Sequence, residues 1–295
     1  MGIATAVKIV LFLFPILELS AACSKPDGKE EPLKPECLIP QYTLPSELNE
    51  NSGMIWYDDL IWMIDDSGGD PYIYALDTAA VKVMKHVRLE GAENIDWEEI
   101  AQDELYLYVG DFGNNEGSRT DLRIYKIDKS DLYDTVVVPE IIQFSYPDQS
   151  DFTPAPYNTP FDCEAMISTG DTLQLFTKNW TGGDTHIYKV PAVPGNYIAV
   201  AGDSLKIDGQ VTASAYSAGN HCLYLLGYFN FIPFLSVLQD FVPGENFKGL
   251  MQTYSFPDNF GTQTEGIALP DNGEILVSCE KGYGIPTLYK AATCQ

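Results

Sequence analysis

Three glutamates stand at matching places along the chain: Glu98 in "DWEEIA", Glu164 in "DCEAMI" and Glu265 in "QTEGIA". Each opens a short apolar run. Glutamate is a poor turn former, so its recurrence at one slot points to a shared inward role rather than to turn chemistry. Three carboxylates converging on one point repel each other, and a bound cation or a nearby lysine must offset them. Hard oxygen donors suit Ca2+ or Mg2+ better than a soft metal. Glu98, Glu164 and Glu265 are therefore the expected metal ligands.

A second set of polar residues recurs about one strand later. Asp65 and Asp66 lie in "IDDSGG", Asp111 in "VGDFGNN", Lys178 and Asn179 in "FTKNWTGG", and Glu280 and Lys281 in "SCEKGYG". Trp97, Phe112, Trp180 and Tyr283 lie beside these carboxylates, where aromatic faces either stack on a flat ligand such as a sugar or pack between structural units. Three functions fit such a constellation. The first is binding of a small ligand, with or without a divalent cation. The second is hydrolysis of a lactone or phosphoester, the cation lowering the pKa of a bound water while Glu98 or Glu164 acts as general base. The third is a protein-interaction scaffold with a merely solvated pore.

Other chemistries lack their parts. The three histidines, His86, His186 and His221, stand apart from the acidic positions, and no G-x-S-x-G elbow or Ser/His/Asp set is present. The cysteines show no C-x-x-C spacing, which argues against a zinc or redox centre. Cys163, beside Glu164, reads as a small buried residue. With 17 Lys+Arg against 42 Asp+Glu the net charge is −25, a field that repels a phosphate backbone and excludes nucleic acid as a partner.

The elements that hold these residues repeat. "IYAL" at residues 73–76 returns as "IYKI" at 124–127, "IYKV" at 187–190 and "LYKA" at 288–291. The interval before the last copy is about double, which predicts a degenerate copy near "FLSVLQD" at 234–240. A turn-terminated apolar strand precedes each copy, a third strand carrying the glutamate slot precedes that, and a fourth run such as "VMKHVRLE" or "EIIQFSY" follows. Aligning the five units places Ser52 and Thr212 in the slots not taken by glutamate. Four strands per unit, five units and almost no helical period predict an all-β fold, a five-bladed β-propeller, with six blades as the alternative. The loop entering the innermost strand and the loop leaving the second share one face, so the recurrent polar residues ring one channel mouth.

The fifth unit ends after its third strand, so "CLIPQYTLP" at 37–45 is expected to supply the missing outer strand and close the ring. Cys37 and Cys294 would then lie on neighbouring strands, either as a disulfide or as two separate thiols. By the chain-entropy model a bridge closing so long a loop contributes about 4–5 kcal/mol.

Upstream, Lys8 and the run "IVLFLFPIL" lead to "SAAC" ending at Cys23, an export signal too short to span a bilayer. "SAAC" resembles a lipobox, which makes residues 1–22 a signal peptide, Cys23 a lipidation site and 23–36 a polar tether, ahead of one propeller domain at 37–295.

"DDSGG", "DWEEIA", "YVGDFGNN", "LRIYKI", "DCEAM", "FTKNW" and "TEGIAL" together resemble a family of Bacteroides-type β-propeller lipoproteins. More distantly the chain is similar to SdiA-regulated, phytase-like and gluconolactonase-like propellers. The lipid anchor places the expected protein in a Gram-negative cell envelope, as a monomer. Its partners would be a small molecule, a glycan or an envelope protein, and a cation or ligand would sit at the channel mouth. No hydrolase signature of those relatives matches residue by residue.

Overall fold

The computed structural model describes residues 34–282 and 284–293. The expectations for the signal peptide, Cys23, Tyr283 and Cys294 lie outside them. The described chain forms five sheets, one per blade, as the repeat predicts.

The first four blades run in chain order from innermost to outer strand. Blade one is Asn51–Tyr57, Leu60–Asp65, Tyr72–Asp77 and Lys82–Leu89. Blade two is Trp97–Gln102, Tyr106–Asp111, Arg123–Asp128 and Glu140–Ser145. Blade three is Cys163–Ser168, Thr172–Thr177, Asp184–Pro191 and Val200–Lys206. Blade four is Gln210–Ser217, Cys222–Phe229, Ile232–Leu238 and Met251–Ser255, its third strand being the degenerate copy.

Blade five closes the ring. Thr264–Ala268, Ile275–Cys279 and Thr287–Ala292 come from the end of the chain, and Cys37–Thr43 from its beginning pairs antiparallel with the last of them. Cys37 stands opposite Ala292 and is disulfide-bonded.

Each blade buries both faces, which explains its near-continuous apolar strands. In "YLYVGD", Tyr108 packs toward blade three while Leu107 and Val109 pack toward blade one. This alternation, repeated around the ring, yields five apolar clusters, one at each blade–blade boundary. Each fully buried large side chain contributes about 1.5–3 kcal/mol.

Two blades depart from the expected four strands. Val136–Val137 lies parallel to the outer strand of blade one, and Gly195–Ile198 lies parallel to that of blade two. Both come from loops of the following blade. An outer strand leaves a row of unpaired N–H and C=O groups, and these short segments cover them.

Candidate functional site

Every innermost strand carries a one-residue register irregularity at the same place. The bulged residues are Ser52, Glu98, Glu164, Thr212 and Glu265. A β-bulge breaks the strict alternation of side chains and re-aims one of them. Here it is repeated once per blade, at the slots that the repeat alignment placed at the channel mouth.

Four of these five, Thr212 excepted, line a cavity of about 240 Å³ together with Asp66, Asp96, Lys178, Trp180 and Glu280. Six carboxylates face it (Asp66, Asp96, Glu98, Glu164, Glu265 and Glu280), against the single ammonium of Lys178 among the described lining residues. That imbalance makes the cavity strongly attractive to a cation. Burial, reinforced by neighbouring acids, pushes Asp96 and Glu280 up to about 7 and Glu265 up to about 8. Glu98 is raised well above the usual carboxylate range, first by burial and then by Glu164, Asp66 and Asp96.

The carboxylates divide into two groups. Asp66, Asp96 and Glu98 bring one oxygen each to within 4.8 Å of one another. Asp66 accepts the N–H of Ser67. Among the described residues no hydrogen-bond donor reaches the side chains of Asp96 or Glu98. Gly113 packs against this pair: a Cβ there would lie 2.2 Å from Glu98 Oε1 and 2.5 Å from Asp96 Oδ2. Ser52, only 4% exposed, lines the same cavity with a hydroxyl that has no hydrogen-bond partner among the described residues. Oxygen-only donors at this spacing fit a hard cation, because ligand oxygens across a Ca2+ bound at 2.3–2.6 Å are separated by up to about 5 Å.

Glu164 belongs to the second group. Its Oε1 lies 3.0 Å from Lys178 Nζ, and both side chains are buried. Burial pulls the Lys178 ammonium down, but Glu164, Glu265 and Asp162 outweigh it and hold the lysine protonated. The Lys178 ammonium also lies 5.0 Å from the Trp180 ring centroid and 5.5 Å from that of Tyr228. Glu265 and Glu280 face the cavity from blade five, where Gln263 Nε2 donates to Glu280 at 2.6 Å. The structure therefore gathers Asp66, Asp96 and Glu98 into the tight cluster, while Glu164 is matched to a lysine.

Trp97, Phe112 and Asp111, all expected at the mouth, do not reach the cavity. Trp97, fully buried, packs in the boundary between blades one and two, and its indole N–H donates to Glu93 O at 3.0 Å. The bulge turns Glu98 inward, so the residue before it points between blades. Phe112 is likewise core. Asp111 is buried behind the site, bonded to Arg119 at 2.9 Å and 3.6 Å from Arg123. There it acts through others. It accepts the Asp96 N–H at 3.1 Å, and Arg119 donates to Gly113 O at 2.9 Å, which holds the glycine loop against the cluster. Trp180, by contrast, does line the cavity, and its indole N–H donates to Asp162 Oδ2 at 2.7 Å.

Sequence reasoning missed two residues. Asp96 is one; the Asp-x-Glu spacing shared by 96–98 and 162–164 was its signal. Glu99 is the other. In its slot the other blades carry Gly53, Ala165, Ala213 and Gly266, so the single long side chain fills the channel. It is fully buried and accepts Ser214 N–H at 2.8 Å and Ile100 N–H at 3.0 Å. Inner-strand edges have no neighbouring strand on the channel side, and Glu99 takes up donors that would otherwise lack partners. Burial pushes its carboxyl up while these N–H groups oppose the shift.

No protein-family model matches the chain, and no curated protein matches it. Among solved structures it is similar to a glucose dehydrogenase, at 9% identity and a TM-score of 0.47 over 86% of this chain and 99% of that one. A further glucose dehydrogenase crystal structure gives 8% and 0.49 over the same shares. The hydrazine synthase of Kuenenia stuttgartiensis gives 12% and 0.43 over 79% of this chain and 75% of that one. Likeness at this level says nothing about chemistry, and the five-bladed assignment rests on the strand pairing of this chain.

Proposed function

We propose that the protein is a ligand-binding β-propeller whose channel mouth holds a divalent cation, Ca2+ or Mg2+, through Asp66, Asp96 and Glu98. One observation carries this reading: three carboxylates converge within 4.8 Å, two of them with no donor among the described residues. The buried Ser52 hydroxyl, without a partner among the described residues, supplies a further oxygen in the same cavity. When bound, the cation would neutralise the cluster and offer open coordination positions to an oxygen-bearing ligand. Lys178 and Trp180 line the same cavity.

The anchor belongs to the same proposal. A Cys23 lipid and the 23–36 tether would hold the protein as a monomer in the envelope of a Gram-negative bacterium, among the Bacteroides-type propeller lipoproteins it resembles. A second reading draws support from Glu265 and Glu280, whose carboxyls burial pushes up to about 8 and about 7. Groups so poised suit general base catalysis beside a cation, and the reaction would be lactone or phosphoester hydrolysis.

Calorimetric titration of the chelator-treated protein with CaCl2 and MgCl2 tests the cation. One site per chain is expected in the wild type, with none in Asp96→Asn. Absence of heat in the wild type for both ions would remove the cation. A lactone and phosphoester screen with the cation present then separates binder from hydrolase.

A further inference from the structure

A second, larger cleft opens beside the acidic mouth. It encloses about 600 Å³ between blades three and four, within the usual range of small-molecule sites. Trp180 and Tyr228 line both hollows, so one ligand can lie in the cleft and reach the mouth across these two rings.

The cleft combines flat aromatic faces with planar polar groups. Tyr228 and Phe231 are stacked, with ring centroids 6.5 Å apart and planes 7° apart, and Phe260 meets Phe231 edge-on at 6.5 Å. Phe229 lines the cleft, while Phe231 and Phe260, joined to the cleft residue Tyr228 by these ring contacts, extend an exposed aromatic surface beside it; the three are 57%, 49% and 69% exposed. Gln210, Asp208 and Asn230 line the cleft with amide and carboxylate groups able to pair with adjacent hydroxyls. No lysine or arginine lines it among the described residues. A chain of net charge −25 repels phosphate- or carboxylate-bearing ligands and anionic lipid surfaces from such a cleft.

The backbone adds an independent sign. Asn230 and Phe231 join the second and third strands of blade four, both at positive φ, 50° and 63°. A two-residue hairpin turn of this kind favours Asn-Gly. A phenylalanine held left-handed costs about 1–2 kcal/mol, and such strain persists where the side chain serves a purpose.

We propose that this cleft binds a neutral sugar chain, the apolar faces of its rings lying on the aromatic surface and one end entering the acidic mouth. The inference rests on the reading of the mouth as the ligand site. The full-length chain, purified in detergent, is probed against an array of neutral and acidic oligosaccharides, once in CaCl2 and once in chelator. Retention of neutral glucan, mannan, xylan or galactan chains is expected, weakened about tenfold by Trp180→Ala. Phe231→Gly restores the favoured turn, so the expected outcome is a melting temperature no lower than wild type together with the same loss of retention. Retention confined to acidic sugars, no retention by the wild type, or wild-type retention by both variants overturns the proposal. The two readings fail separately: calcium heat without sugar retention removes only the sugar, and sugar retention in chelator without calcium heat removes only the cation.

Discussion

Blades two and three carry the same triplet pattern in the same place, Asp96-Trp97-Glu98 and Asp162-Cys163-Glu164, and the fold treats them in opposite ways. In blade three each acid is matched. Asp162 accepts the Asn114 N–H at 2.6 Å and the Trp180 indole N–H at 2.7 Å, and Glu164 faces Lys178. In blade two no donor among the described residues reaches the equivalent carboxylates, which cluster with Asp66 against the backbone of Gly113, Arg119 being the counter-charge felt by Asp96. Identical chemistry is thus structural in one blade and poised in the other. Non-local partners decide which, since a buried acid is costly unless something offsets it.

The largest way to break this contrast is Lys178→Met. It strips Glu164 of its buried counter-ion, and a loss of about 3 kcal/mol is expected by denaturant unfolding. A loss below 1 kcal/mol would mean that Glu164 is already neutral. The matching change in blade two should act with the other sign. Glu98→Gln removes a desolvated like charge, and in chelator at pH 8 it should stabilise the protein by about 1 kcal/mol.

A smaller effect sharpens the comparison through pH. Asp96, Glu280 and Glu265 sit at about 7, 7 and 8 in the fold, all raised above their unfolded values near 4. The folded state holds protons that the unfolded chain releases, so their contribution is complete below about pH 4 and is lost as pH rises to about 8. In chelator the melting temperature should therefore fall from pH 5 to pH 8. Calcium should reverse the trend, because the ion competes with protons for the same oxygens. A flat profile in chelator would place these acids at ordinary values.

Much of this was legible because a repeat compares the chain with itself. The strand copies carry the blade count, and the aligned slots of Glu98, Glu164 and Glu265 coincide with the bulges. The two short parallel strands were not legible, since Val136–Val137 and Gly195–Ile198 are defined by a neighbouring blade rather than by their own pattern. Trp97 and Asp111 were misplaced at the mouth for related reasons. A bulge reverses the facing of adjacent residues, and Arg119, which pairs with Asp111, lies in an irregular loop, with Arg123 at the start of the following strand. What separates Asp96 from Asp162 is a pair of donors, Asn114 N–H and the Trp180 indole, which no local spacing encodes.

The central claim is that the two triplets differ in function, and calcium-dependent melting of Glu98→Gln beside Glu164→Gln tests it most directly. At pH 8 the wild type and Glu164→Gln should gain melting temperature with added CaCl2, while Glu98→Gln should not. Equal gains in all three proteins, or a gain lost in Glu164→Gln and kept in Glu98→Gln, would contradict the assignment.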